Sequence, residues 1–158
     1  TGGWDAAPGG PEKWGLYYLE ELDCESGCSQ YCDSNSGVSC AAGKSYHGRG
    51  PIQLSYNYNY QSAGLAIGED LLNQPELVTS NAVIAFKTAI WFWMNGIAGN
   101  ANTPHDAIMN GDGFGETIRI INSIECNGGV PSAIDDRVNF FKYFTDFFGV
   151  KSKNNLRC

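Results

Sequence analysis

Alternation is the first pattern along the chain. From Ile52 to Tyr60, Ile52, Leu54, Tyr56, Tyr58 and Tyr60 take every second place, with Gln53, Ser55, Asn57 and Asn59 between them. That period predicts a strand with one apolar face and one row of neutral hydrogen-bonding groups. Amides and hydroxyls in a row suit a sugar, which offers donors and acceptors but no charge. On the pattern alone, a solvated outer face is the plainer reading. Elsewhere the period is helical. Pro11 fits the first position of a short helix with Trp14, Tyr17, Tyr18 and Glu21 on one face. There Glu21 either has its acidity shifted by aromatic surroundings or points past the rim into water. Asn81 caps a helix running to about Met94, apolar nearly all round and so expected to be central, and Asn95-Gly96 ends it. A further helix covers Glu116 to Ser123. Pro131 opens the last one, with Ile134, Val138, Phe141, Phe144 and Phe148 on one stripe and Gly149 as its stop. Arg137 intrudes on that stripe. Either it snorkels at the edge, or it organises acidic groups in a cleft, since an unpaired guanidinium near a core costs several kcal/mol. The first ten residues read as loop, and Asp23 to Gly43, rich in Cys, Ser and Gly, as a stapled loop. The class expected is mainly α with a small β element.

Composition narrows this picture. The 158 residues, 42% of them apolar, fit one domain with a real core. Stretches such as Ala89 to Met94 fall far short of the roughly 20 residues a membrane span needs. No signal peptide is visible, which leaves a cytosolic chain or a processed one. The net charge of −7 and pI of about 4.6, with scattered Lys and Arg, speak against nucleic acid and anionic membranes as partners.

Six cysteines, Cys24, Cys28, Cys32, Cys40, Cys126 and Cys158, admit two readings. The spacing of Cys24, Cys28 and Cys32 is loosely zinc-like, but His47 and His105 lie far along the chain and no second thiol pair is nearby. An even count favours disulfides over a metal, with Cys158 tying down the tail, and hence an extracellular or vesicular setting.

The segment Gly48-Arg49-Gly50-Pro51-Ile52-Gln53-Leu54-Ser55-Tyr56-Asn57-Tyr58-Asn59-Tyr60 closely resembles the signature of plant-type glycoside hydrolase family 19 chitinases. The likeness continues through Ala66-Ile67-Gly68, Asp70-Leu71-Leu72, Pro75 to Val78, Phe86 to Met94, Ile120 to Gly128 and Asp136-Arg137-Val138, and so covers nearly the whole chain. Thr1-Gly2-Gly3-Trp4 is similar to the tail of the family motif His-Glu-Thr-(Thr)-Gly-Gly-Trp. The resemblance implies a lysozyme-like, mostly helical catalytic domain over 1–158, secreted, that hydrolyses β-1,4-linked N-acetylglucosamine polymers with inversion. Inversion needs a protonated carboxyl and an ionised one about 6.5–9.5 Å apart, with room for a water. No cofactor and no metal is implied, since the chemistry is acid–base.

Residue by residue, the resemblance makes Glu21 the general base and Ser55 the group that helps hold the attacking water. Gln53, Tyr58 and Asn59 would line the cleft, Trp4 and Trp14 flank its ends, and Asn122 contact the water or sugar. Glu125 and Arg137 would form a polar network that tunes the general acid. Cys32–Cys40 and Cys126–Cys158 match family disulfides, whereas Cys24 and Cys28 pair either with each other or with a cysteine further N-terminal. His47 stands where the family usually has Tyr, and Asn122 to Cys126 is one residue shorter than the family segment. The general acid would lie about one or two residues before Thr1. The chain alone is then expected to be nearly inert, with a separate N-terminal fragment of the same protein as a partner besides chitin or its oligosaccharides. The alternatives are a non-catalytic chitin-binding or structural protein on the same scaffold and, less favoured, a muramidase.

Overall fold

Proline, asparagine and glycine set the helix boundaries. A computed structural model describes residues 3–4, 6–24, 28–96, 102–152 and 155–158. It contains α1 (Asn57–Ile67), α2 (Leu77–Ser80), α3 (Ala82–Asn95), α4 (Pro104–Asn110), α5 (Phe114–Asn122) and α6 (Pro131–Phe147), with 3-10 turns at Pro11–Trp14, Ser29–Tyr31 and Ser123–Glu125. The chain separates into two compact units, Thr1–Phe92 and Trp93–Cys158.

In the first unit the expected strand is replaced beyond Tyr56 by α1. The alternation spans only nine positions, whereas a helical period runs on from it: Tyr60, Ala63 and Gly64 are buried, and Ile67 packs against the same core before Gly68 caps the helix. Tyr46, Leu54, Leu71, Val78 and Ile84 complete that core. Each large apolar side chain buried there contributes about 1.5–3 kcal/mol. Asn57 does not sit in a sugar-facing row. It is fully buried, its amide donating to the carbonyls of Asp33 and Val38 at 3.1 and 2.7 Å while its oxygen accepts from Asp33 N–H at 3.0 Å. It thereby pins the loop closed by Cys32–Cys40.

The expected helix from Pro11 to Glu21 stops at Trp14. Gly15 is a poor helix former and Leu16 turns to φ 60°, so Tyr17, Tyr18 and Glu21 do not share a helical face with Trp14. Helix α3 forms where expected, with Asn81 Oδ1 accepting from the N–H of Val83 at 3.0 Å. It is not central. Ile84, Ala85, Thr88 and Phe92 are buried, while Val83, Phe86, Ile90 and Met94 are exposed. The small β element amounts, among the described residues, to two isolated antiparallel bridges, Glu20 with Arg49 and Arg49 with Leu54.

In the second unit Thr103 caps α4, accepting from Asp106 N–H at 3.0 Å. Ile118, Cys126, Ile134 and Val138 form the core, against which Phe114, Leu156 and Cys158 pack. The α6 stripe leaves that core after Phe141, whose ring stacks on Phe114 at 4.2 Å. Phe144 and Phe148 are exposed, and Gly149 ends the helix as expected.

All six cysteines pair, as Cys24–Cys28, Cys32–Cys40 and Cys126–Cys158. The open question of Cys24 and Cys28 resolves as a pairing with each other, which leaves no thiol for a metal.

Candidate active site

Residues 19–21 and 48–50 run antiparallel. Gly50 N–H donates to Leu19 O and Glu21 N–H to Gly48 O, both at 2.8 Å. Neighbouring side chains on an extended segment point to opposite faces, so Glu20 and Glu21 diverge. The Glu21 carboxylate accepts from the Tyr31 hydroxyl at 2.7 Å and from Gly48 N–H at 3.2 Å. A Cβ on Gly48 would lie 2.9 Å from Gln53 Oε1 and 3.2 Å from Gln53 Cβ, so a side chain there would displace the Gln53 amide. Burial, followed by the hydrogen bond to Glu21, pushes the Tyr31 hydroxyl up to about 12, so it remains a protonated donor at any physiological pH. Tyr31 also packs edge-on against Tyr56, with ring centroids 5.2 Å apart, and Tyr56 stacks on Tyr58 at 5.5 Å. Glu21 is thereby tied through Tyr31 to the turn that carries Ser55.

That turn bonds to itself. Gln53 Nε2 donates to Gly50 O at 3.0 Å, Ser55 Oγ to Gln53 O at 2.9 Å and Asn59 Nδ2 to Ser55 O at 3.0 Å. Gln53 and Tyr56 stand at φ 54° and 73°, conformations that cost a non-glycine residue about 1–3 kcal/mol each. They are held by Tyr56 N–H donating to Tyr46 O at 2.8 Å and by the reciprocal Arg49–Leu54 backbone pair at 3.2 and 2.9 Å. Strain of this kind clusters where a side chain must be aimed. Trp4 and Trp14 meet edge to face at 5.9 Å, Trp4 stacks on Tyr17 at 6.4 Å, and all three rings are exposed.

In the second unit Glu125 is buried and doubly gripped. Arg137 donates from Nε to Oε2 and from Nη2 to Oε1, each at 2.7 Å, and Asn122 Nδ2 donates to Oε1 at 2.7 Å. Arg137 therefore organises a carboxylate instead of snorkelling, and the Asn122 amide is engaged in this network. The Arg137 hydrogen bonds outweigh burial and hold the Glu125 carboxyl below its ordinary 4.5. A depressed carboxyl stabilises the fold above its unfolded value and loses that contribution as pH falls through the folded one. Thermal unfolding should therefore show wild type above Glu125→Gln at pH 6, with the gap closing as pH drops below 4.5.

A family model described as Chitinase class I, Glyco_hydro_19, matches residues 1–158. The chain belongs to glycoside hydrolase family 19. It is 46% identical over 172 residues to a basic endochitinase of Vitis vinifera, with all of this chain and 54% of that protein covered. It is 45% identical over 171 residues to inactive chitinase-like protein 1 of Hevea brasiliensis, again covering all of this chain and 54% of that protein. The chain thus spans about half the length of the curated relatives it matches. The crystal structure of chitinase C from Streptomyces griseus superposes with a TM-score of 0.82 at 45% identity, over 90% of this chain and 69% of that one. The fold is the mainly helical, lysozyme-like one of family 19 chitinases.

Within this family 19 chain the first unit gathers Glu21, Ser55, Gln53, Tyr58 and Asn59 on adjoining segments, and the second gathers Asn122, Glu125 and Arg137. Sequence reasoning missed Tyr31 and the partners of Glu20. Tyr31 lies ten positions from Glu21 across the stapled loop, and no period links them. The one available signal was its place beside Cys32, where a disulfide fixes the backbone.

Proposed function

We propose that residues 1–158 act as one catalytic domain carrying the base side of an endo-acting, inverting hydrolase of β-1,4-linked N-acetylglucosamine polymers, with Glu21 as general base. The observation that carries this reading is the setting of Glu21. It is partly exposed and held by two donors, the Tyr31 hydroxyl and Gly48 N–H, the arrangement a carboxylate accepts. In the reaction Glu21 takes a proton from a water as that water attacks the anomeric carbon from the face opposite the leaving group. The leaving oxygen takes its proton from the second carboxyl, which the family pattern sets ahead of Thr1. Ser55 orients the water. Gln53, Tyr58 and Asn59 bind the neutral acetamido sugars, and Trp4 and Trp14 offer faces for sugar rings. Asn122 acts with the Glu125–Arg137 network, which tunes the acid.

The Tyr31 contact yields its own test. A hydrogen bond to a charged group is worth roughly 1.5–3 kcal/mol, so Tyr31→Phe should lower kcat on a chitin oligomer about tenfold or more with KM little changed. An unaltered kcat removes Tyr31 from the mechanism. Three disulfides support an oxidising, extracellular setting. No described helix is long and apolar enough to cross a membrane.

A second reading, a chitin-binding protein without catalysis, is favoured by one observation: a relative 45% identical over 171 residues is named an inactive chitinase-like protein. Titration with chitohexaose in the presence of the segment that carries the general acid, followed by chromatography of the same sample, separates the two. Binding with cleavage supports the enzyme, and binding with an intact hexamer supports the second reading.

A further inference from the structure

Behind Glu21 lies a charged cluster that the proposed reaction does not use. Glu20 Oε2 is 3.1 Å from His47 Nε2 and 3.4 Å from Arg49 Nε; the His47 and Arg49 side chains are only 3% and 8% exposed, that of Glu20 38%. Arg49 Nη1 donates to Ser45 O at 2.8 Å and to the Tyr60 hydroxyl at 3.0 Å, and Nη2 lies 3.4 Å from His47 Nδ1. A guanidinium can only donate. His47 Nδ1 also lies 3.0 Å from Ser45 Oγ, and Nε2, which faces the Glu20 carboxylate, carries a proton. The Nε of Arg49 is buried and has no hydrogen bond, so the nearby Glu20 carboxylate is the anion set against it.

The order Ser45, His47, Glu20 looks like that of a nucleophilic triad, but Ser45 Oγ is bracketed by Cys28 N–H at 2.8 Å and Cys28 O at 3.1 Å, and the imidazole is buried. No nucleophile is presented. What the cluster does is grip one side chain of a short extended segment whose next residue, on the opposite face, is Glu21. Besides the Tyr31 and Gly48 contacts of the Glu21 carboxylate, residues 19–21 are held by two backbone hydrogen bonds to 48–50, with Leu19 and Leu22 both exposed. Three consecutive residues, 47–49, meet this segment. His47 and Arg49 hold Glu20, and Gly48 between them holds Glu21.

We propose that Glu20, clamped by His47 and Arg49, is a positioning residue that fixes the direction of the Glu21 carboxylate. This rests on Glu21 being the general base. It also gives His47 a role other than a sugar contact: its Nε2–H supplies one jaw of the clamp.

The amide readout uses residues 1–158, and the activity readout adds the segment that carries the general acid. The Gly48 amide donates to the Glu21 carboxylate, so its proton chemical shift and its exchange rate report that contact whether or not the sample is active. Glu21→Ala sets the reference for losing it. Glu20→Ala is expected to move the Gly48 amide at least half-way to that reference and speed its exchange about tenfold, while Glu20→Gln, which keeps an acceptor, restores most of the wild-type position. On a chitin oligomer Glu20→Ala is expected to lower kcat about tenfold with KM unchanged, a loss within what misplacing a reacting group costs. A Gly48 amide left at its wild-type position in Glu20→Ala overturns the proposal, as does a kcat unchanged beside an inactive Glu21→Gln. Full activity in Glu21→Gln instead overturns the general-base reading itself. Should Glu20→Ala fail to fold, Glu20→Met, of similar size but with no acceptor and with a wild-type melting curve, decides by the same amide: a shift at least half-way to the reference supports the clamp, and none overturns it.

Discussion

Glu21→Gln is expected to lower kcat on a soluble chitin oligomer by roughly 10²–10⁴-fold, the range associated with losing a positioned general base, while KM changes little. The substitution keeps the volume and keeps an oxygen to accept from Tyr31 and Gly48. It puts an NH₂ in the place of the second acceptor, so one of these two donors loses its partner. Water activation is lost outright, because an amide does not take up the proton. Parallel losses in kcat and kcat/KM would show that the interaction is made in the transition state. A mainly raised KM would instead make Glu21 a sugar-binding group.

The second large effect concerns the tail. Cys126 and Cys158, 32 residues apart in sequence, close a loop that encompasses all of α6. A cross-link of that span restricts the unfolded chain by about 3–4 kcal/mol in the chain-entropy account. The double variant Cys126→Ser/Cys158→Ser should show a urea midpoint lowered by a corresponding amount. Contacts around the bridge add to this. Cys126 is buried beside Ile118, Ile134 and Val138, and Leu156 packs on the same core. The tail also accepts from Gly115 N–H at Asn155 O and from Asn127 N–H at Cys158 O. The Arg157–Asp135 ion pair has both side chains 55% exposed and contributes little. A midpoint unmoved by the double variant would mean that these contacts hold the tail without the cross-link.

Helices with a strong start signal were legible from the sequence. Pro131 opens α6 and Gly149 stops it, Asn81 caps α3, and α5 begins two residues earlier than its apolar pattern suggests. Helix α1 was misread because tyrosines suit a strand and alternate from Tyr56 to Tyr60. The deciding information lay beyond that window, in Ala63, Gly64 and Ile67 on the helical period. The exposed side of α3 is invisible to composition, which reports that Phe86 and Ile90 are apolar but not what lies against them.

The site divides in the same way. Glu21, Ser55, Glu125 and Arg137 were singled out because their motifs match a family, and the pairing of Arg137 with Glu125 was foreshadowed by a guanidinium on an apolar stripe. Tyr31, Glu20 and Arg49 were not assigned roles, since the contacts of Tyr31 with Glu21 and of Glu20 with His47 and Arg49 cross 10 to 29 positions of mostly irregular backbone. Such contacts follow from the Cys32–Cys40 loop and the 19–21/48–50 pairing, neither of which leaves a period in the sequence.

The most direct measurement is the anomeric form of the first product, followed by proton NMR during hydrolysis of chitohexaose. In the proposed reaction water activated by Glu21 attacks opposite the leaving group, so the α-anomer is expected to appear first and the β-anomer only later, by mutarotation. First release of the β-anomer would contradict Glu21 as the base of an inverting reaction, and a hexamer bound but uncleaved with the acid-bearing segment present would contradict catalysis altogether.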